Sequence, residues 1–178
     1  MNKKVLILSA SPRKHGNSDL LCDRFADGAR ESGNEVEKIF LDEKNIGFCR
    51  GCGACAVTKR CVIKDDMAEI LDKMVKADVI VMATPVYFYA MNGKLKTLID
   101  RTVPRYTEIS GKRFWLIMAA AEDNRENMRP VVEGFRGFLN CLESPKECGI
   151  IYGLGAWKIG EIKSSPSMQE AFEAGRSV

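Results

Sequence analysis

Val5-Leu6-Ile7-Leu8-Ser9-Ala10-Ser11-Pro12-Arg13-Lys14-His15-Gly16-Asn17-Ser18 changes character twice along its length. Val5 to Leu8 is continuously apolar, which suits a strand covered on both faces. Ser9 to Ser18 is rich in Ser, Pro, Gly and Asn and cannot extend that strand. From Asn17 or Ser18 onward, the spacing of Leu20, Leu21, Phe25 and Ala29 predicts a helix with one buried stripe, stopped near Gly33. The turn between strand and helix has the chemistry of an anion cradle, because a helix N-terminus offers unpaired N–H groups and a partial positive charge. The Ser11 and Ser18 hydroxyls, the Asn17 amide and the Arg13 guanidinium add donors, and Pro12 and Gly16 let the backbone wrap closely. A capped helix start with a solvent-facing turn is the plainer alternative. No Gly-Lys-Ser/Thr ends the loop and G-x-G-x-x-G is missing, which argues against triphosphate hydrolysis and dinucleotide binding. His15, the single histidine, reads as an exposed loop residue without a role, so a Ser–His–Asp mechanism is unattractive.

The alternation continues downstream. Glu35 to Leu41 reads as a more exposed strand, and Asp66 and Glu69 have capping-box spacing before a helix through Ile70, Leu71 and Met74. Val79 to Ala83 is a buried strand closed by Thr84-Pro85, followed by a helix from about Met91 to Arg101. Phe114 to Ala120 forms a fourth strand, Met128 to Leu142 an amphipathic helix, Cys148 to Tyr152 a fifth strand, and a last helix follows Pro166. Strands separated by helices need crossovers, hence an α/β fold with a parallel sheet covered on both faces. The 178 residues suit one domain, 1–178, with a cysteine-rich insert at about 47–64.

Apolar residues at 46% and charged residues at 29% describe an ordinary globular chain rather than a disordered one. A formal charge of +3, with its basic residues scattered, argues against nucleic acid as a partner. No signal peptide is evident and no apolar run approaches the roughly 20 residues that span a bilayer, so a cytoplasmic location and no membrane partner are expected. Seven cysteines in that setting argue for thiols or metal ligands over a disulfide framework.

Tyr87-Phe88-Tyr89 places three aromatics in the loop after the third strand, where they must pack on a planar cofactor, a partner subunit or the chain's own helices. Ala119-Ala120-Ala121 permits close backbone approach to a cofactor, and Glu122-Asp123 would cap a following helix. Cys49, Cys52, Cys55 and Cys61 form C-x2-C-x2-C-x5-C. Four thiolates on a short loop suit a [4Fe–4S] cluster, with Gly51 and Gly53 letting the chain curl and Lys59 and Arg60 offsetting negative charge. Zinc would also accept four sulfurs, and unligated or disulfide-forming thiols are the third reading. Cys22, Cys141 and Cys148 read as small buried hydrophobes.

Ser11-Pro12-Arg13 with Gly16-Asn17-Ser18 resembles the FMN-phosphate loop of the NAD(P)H-dependent FMN reductase family. Pro85-Val86-Tyr87 with Asn92-Gly93, Leu95-Lys96 and Ile99-Asp100-Arg101 resembles its second flavin loop and adjoining helix, and Gly160-Glu161-Ile162-Lys163 before Pro166 is similar to its C-terminal part. The four-cysteine spacing resembles the iron–sulfur flavoprotein branch, whose motif Cys49, Cys52, Cys55 and Cys61 match one for one. The resemblance implies a flavodoxin-like three-layer sandwich with a five-stranded parallel sheet of order 2-1-3-4-5, its ligand lying beyond the strand C-termini where the order reverses. It implies FMN, with Ser11, Arg13, Asn17 and Ser18 on the phosphate, Pro85, Val86, Tyr87 and Phe88 on the ring, and Ala121 and Glu122 closing the other side. The activity implied is that of an FMN-dependent oxidoreductase or electron-transfer flavoprotein. Its chemistry is at flavin N5 with no catalytic side chain, NAD(P)H or ferredoxin is the electron donor, and the metal-binding cysteines hold a [4Fe–4S] cluster that passes single electrons to or from FMN. A homodimer or homotetramer is implied too, with Tyr89 or Met91 at the interface, and ferredoxin or a small-molecule electron acceptor as partner. The alternatives are a cluster-free NAD(P)H-dependent FMN or quinone reductase, a non-enzymatic flavin carrier, or a cysteine redox sensor.

Overall fold

A computed structural model describes residues 2–178. The parallel strands are β1 (Lys4–Ser9), β2 (Glu35–Phe40), β3 (Val79–Tyr87), β5 (Arg113–Ala119) and β6 (Lys146–Gly153), and β4 is the two-residue strand Ala90–Met91. The sheet order is β2-β1-β3-β5-β6, with β4 antiparallel to β3. Counting the parallel strands alone, this is the expected flavodoxin-like 2-1-3-4-5, to which the short β4 is added.

Helices α1 (Asn17–Glu31) and α6 (Ser167–Arg176) cover one face, while α3 (Met67–Lys76), α4 (Gly93–Asp100) and α5 (Arg129–Leu139) cover the other; α2 is the short helix Ala54–Thr58. The continuous apolar run of β1 follows from this. Leu6 and Leu8 join Ile80, Met82, Leu116 and Phe135 on one side, and Val5 and Ile7 join Phe25, Val81 and Ile117 on the other. Gly33 stops α1 as expected, at φ +80. Among the described residues, no helix is long and apolar enough to cross a membrane.

Several expectations change. β3 runs on through Thr84, Pro85, Val86 and Tyr87. Its β1 partner ends at the Ser9–Ala83 pair, so the missing Pro85 N–H faces no strand on that side, while Pro85 still pairs in register with Ala119 of β5. Met91 lies in β4, and α4 begins at Gly93 behind an Asn92 cap. Asp66 makes no side-chain cap for α3; the neighbouring Asp65 accepts the Met67 N–H at 3.2 Å instead. Cys22 is buried, and burial pushes its thiol pKa up, but Cys141 is exposed and Cys148 half-buried, because neither lies beneath a helix.

Two contacts organise the periphery. Helices α1 and α6 touch backbone to backbone: a Cβ on Gly28 would stand 2.0 Å from the Phe172 carbonyl oxygen, and one on Gly175 2.1 Å from that of Phe25. On the opposite face, Arg101 after α4 grips the cysteine segment. Its Nη1 and Nη2 donate to Asp65 Oδ2 and Oδ1 at 2.7 and 2.9 Å, and Nη1 also donates to the Gly47 carbonyl at 2.6 Å. Asp65 accepts the Gly47 N–H at 2.9 Å in return, and both side chains of the ion pair are almost wholly buried.

Gly28→Ala is expected to lower stability by about 1–3 kcal/mol, since both helix backbones must part; an unchanged urea midpoint would refute the contact. Asp65→Asn leaves a buried guanidinium uncompensated and should cost about 3–5 kcal/mol. Burial alone would raise the Asp65 pKa, but the Arg101 fork and the Gly47 and Met67 N–H groups outweigh it and hold the carboxyl below its ordinary value. The pair's contribution is therefore present above the unfolded pKa of about 3.9 and lost as pH falls through the lower folded value. Denaturant midpoints of wild type and Asp65→Asn should converge in acid; parallel pH profiles would contradict this.

Candidate functional site

The C-terminal ends of β1, β3, β5 and β6 surround a cavity of about 630 Å³. Its anion end is the turn before α1. Gly16 starts the helix with no side-chain cap, so the first-turn N–H groups are left for a ligand. The Ser11 hydroxyl donates to the Arg13 carbonyl at 2.7 Å and accepts the Arg13 N–H at 3.2 Å, which curls the loop. A Cβ on Gly16 would come within 2.6 Å of Ser11 Oγ, so only glycine allows this curl. Arg13 is exposed and, among the described residues, has no carboxylate partner; Ser18 is buried and lines the cavity.

Beneath the turn lies a buried carboxylate. Asp19 accepts the Ser9 hydroxyl at 2.7 Å and the His15 N–H at 3.0 Å, and Lys38 bridges it at 3.1 Å to Asp23. Burial alone would lower the Lys38 pKa, but its hydrogen bonds to Asp23 and Asp19 hold it above the ordinary lysine value. His15, Asp19 and Asp23 come close enough together to resemble a cation site, yet the Lys38 ammonium already supplies the positive charge there.

The Asn17 amide is committed elsewhere. Its Nδ2 donates to the Ala156 and Lys158 carbonyls at 3.1 and 3.0 Å, and its Oδ1 accepts the Gly160 and Ile162 N–H groups at 3.0 and 3.4 Å. Asn17 therefore ties the loop after β6 to the start of α1, and what it offers an anion is its backbone N–H. That loop forms a wall of the cleft through Ala156, Trp157, Lys158 and Ile159, none of which the sequence reading singled out. Glu161 accepts the Trp157 and Lys158 N–H groups at 2.7 and 2.8 Å, which hold its carboxyl below the usual range. The signal available in the sequence was Trp157 and Ile159 bracketed by Gly155 and Gly160, a spacing that marks a turn.

Pro85, Val86 and Tyr87 line the facing wall, and Ala119, Ala120 and Ala121 the floor. Asn92 holds the two sides in register. Its Nδ2 donates to the Ala10 carbonyl at 2.5 Å, its Oδ1 accepts the Leu95 N–H at 3.0 Å, and its own N–H reaches Thr84 Oγ1 at 3.0 Å. Phe88 does not line the cleft. Phe88 and Tyr89 form the two-residue turn between β3 and β4 at φ 48 and 57, and Phe88 projects fully into solvent. Glu122 faces its own loop, accepting the Asp123 and Asn124 N–H groups at 3.1 and 2.9 Å and the Tyr89 hydroxyl at 3.2 Å. The cap of the following 3-10 turn is Asn124 rather than the acidic pair.

A phosphate fits the uncapped helix start beside Arg13, and a flat ring fits the slot between Tyr87 and Trp157 over a floor with no bulk beyond Cβ. FMN combines these two parts. The cysteines lie between β2 and α3. Cys49 and Cys52 are exposed, Cys55 on α2 and Cys61 half-buried, and all are free thiols. Among the described residues, no three of their sulfurs lie within 4.8 Å of one another, the compactness a single bound ion needs.

The chain is 38% identical over 101 residues to an iron–sulfur flavoprotein of Archaeoglobus fulgidus, covering 57% of this chain and 46% of that one. It is 43% identical over 101 residues to an iron–sulfur flavoprotein of Methanocaldococcus jannaschii, covering 57% and 52%. It thus spans about half the length of these curated relatives. In fold it matches an NAD(P)H:quinone oxidoreductase from Methanothermobacter marburgensis with a TM-score of 0.77 at 17% identity, over 99% of this chain and 97% of that one. The sequence profile described as NADPH-dependent FMN reductase matches residues 3–138. With a flavodoxin-like sheet and most of its length inside that match, the chain belongs to the NADPH-dependent FMN reductase family.

Proposed function

We propose that the protein is an FMN-dependent oxidoreductase that takes electrons from NAD(P)H and delivers them to a small-molecule acceptor. The observation that carries this is the joining, in one cleft, of an uncapped helix N-terminus with a free guanidinium to an apolar slot floored by alanines. The first-turn N–H groups, Ser18 and Arg13 hold the phosphate, with Ser11 shaping the loop that presents them. Pro85, Val86 and Tyr87 on one side and Trp157 on the other orient the ring and exclude water, and Ala121 lets the backbone approach its polar edge. Bound FMN supplies hydride and single-electron chemistry. The residues lining the cleft include no carboxylate and no imidazole, so the chain contributes position and electrostatics rather than a proton relay. Phe88 and Glu122 act at one remove, Glu122 by bracing Tyr89 and Phe88 as a surface that a second copy would cover in a homodimer or homotetramer.

A second reading, favoured by the C-x2-C-x2-C-x5-C spacing and by the names of the relatives, adds a [4Fe–4S] cluster on Cys49, Cys52, Cys55 and Cys61. A cubane gives each thiolate its own iron and spreads its ligands wider than one ion does, and Gly51 and Gly53, at φ 62 and 72, supply the curvature. In that reading a ferredoxin-like carrier is the partner.

Arg13→Ala should weaken FMN binding by about 1.5–3 kcal/mol while leaving riboflavin affinity unchanged, because only the phosphate loses a partner. Equal losses for both ligands would remove Arg13 from the phosphate. Iron and sulfide analysis of protein purified without oxygen separates the two readings. A pure flavin spectrum without iron is expected for the first, and iron and sulfide in equal amounts for the second.

A further inference from the structure

A second cavity, larger than the flavin cleft, lies among other residues. A space of about 740 Å³ opens between the cysteine segment, α3 and the turns after α4, and its lining shares no residue with the cleft. Its floor is apolar, built from Ile63, Met67, Leu71 and Pro104. Its charges are unequally satisfied. Asp65 is neutralised by Arg101, and Asp72 and Glu108 are both engaged by Arg105. That leaves Lys59, Arg60 and Lys64 at the rim, and among the described residues none of the three is ion-paired. At the wall, Arg101 is buried, with Nη1 donating twice and Nη2 once to Gly47 and Asp65.

We propose that this second cavity binds an organic acid, an anion with an aromatic or alkyl body. The apolar floor would take the body, and the unpaired cations would take the acid group, with charge-assisted bonds stronger than neutral ones. A cationic ligand would meet an excess of like charge, and a purely polar anion would leave the Met67–Leu71–Pro104 floor wet. Because Cys61 also lines the cavity, the occupant lies against the cysteine segment rather than against the flavin. The proposal goes beyond the flavin assignment and does not depend on it.

Calorimetric titration of the protein, as purified without oxygen, with naphthalene-2-sulfonate tests it. Saturable binding at one site is expected, and uncharged 2-naphthalenemethanol should bind at least about tenfold more weakly. The Arg60→Gln/Lys64→Gln double variant removes two exposed cations and should lose roughly tenfold or more in affinity. Ala68→Phe, an exposed α3 position lining the cavity, keeps every charge and should weaken binding measurably by narrowing the space. An unchanged thermal midpoint in both variants shows that the fold is intact. No saturable heat with wild type, equal binding of the alcohol, or wild-type affinity in both variants would each overturn the proposal.

Discussion

Strand β1 is paired on both edges and covered on both faces, and the cleft hangs from its C-terminal end. Because neighbours on its two sides arrive through crossovers that run in opposite directions, the loop after β1 is left uncovered, and a ligand can enter there. Every wall of the cleft is then fixed relative to that loop. Asn92 bonds its Ala10 carbonyl, Ala10 N–H bonds Ala83, and Asn17 holds the chain that follows β6. The anion cradle is thus a junction of four strand ends rather than a local motif.

The strands and their order were legible because burial on two faces leaves an unmistakable apolar run, as in Val5 to Leu8 and Val79 to Ala83. The end of β3 was not, since a proline ordinarily closes a strand, and only the absence of a β1 neighbour beyond Ala83 makes Pro85 harmless. Residue type marked Ser11, Arg13, Asn17 and Ser18 as donors, but it could not reveal that the Ser11 hydroxyl is spent on the Arg13 carbonyl, or that the Asn17 side chain is used up by carbonyls about 140 positions away. Phe88 and Glu122 stand outside the cleft lining for a related reason. The turn at Phe88-Tyr89 carries Phe88 fully into solvent, and Glu122 finds donors within its own loop. Trp157 escaped notice because an isolated aromatic in a turn has no periodic signature.

The cysteine segment shows how a loop of low regularity is kept in place. Its one regular element is the short α2, and its two ends are held together by the Arg101–Asp65 pair, the two bonds to Gly47 and the two bonds between Asn45 and Asp66. A buried ion pair contributes little net stability against an apolar replacement, but its geometry allows one arrangement only. The two ends of a segment that holds Cys49 and Cys52 exposed and Cys55 and Cys61 half-buried are thereby kept in one arrangement.

The contact of Gly28 with α6 bears on the order of synthesis. Helix α1 is made well before α6, which completes the groove that seats it, and the Asn17 latch waits for residues just ahead of α6. Earlier parts of the sheet can pair as they leave the ribosome, whereas the nucleotide cradle acquires its final shape only when this distant partner docks. Until α6 has docked, the turn before α1 lacks the tie that fixes its shape, so the two ends of this stretch of chain must meet before the cradle is complete.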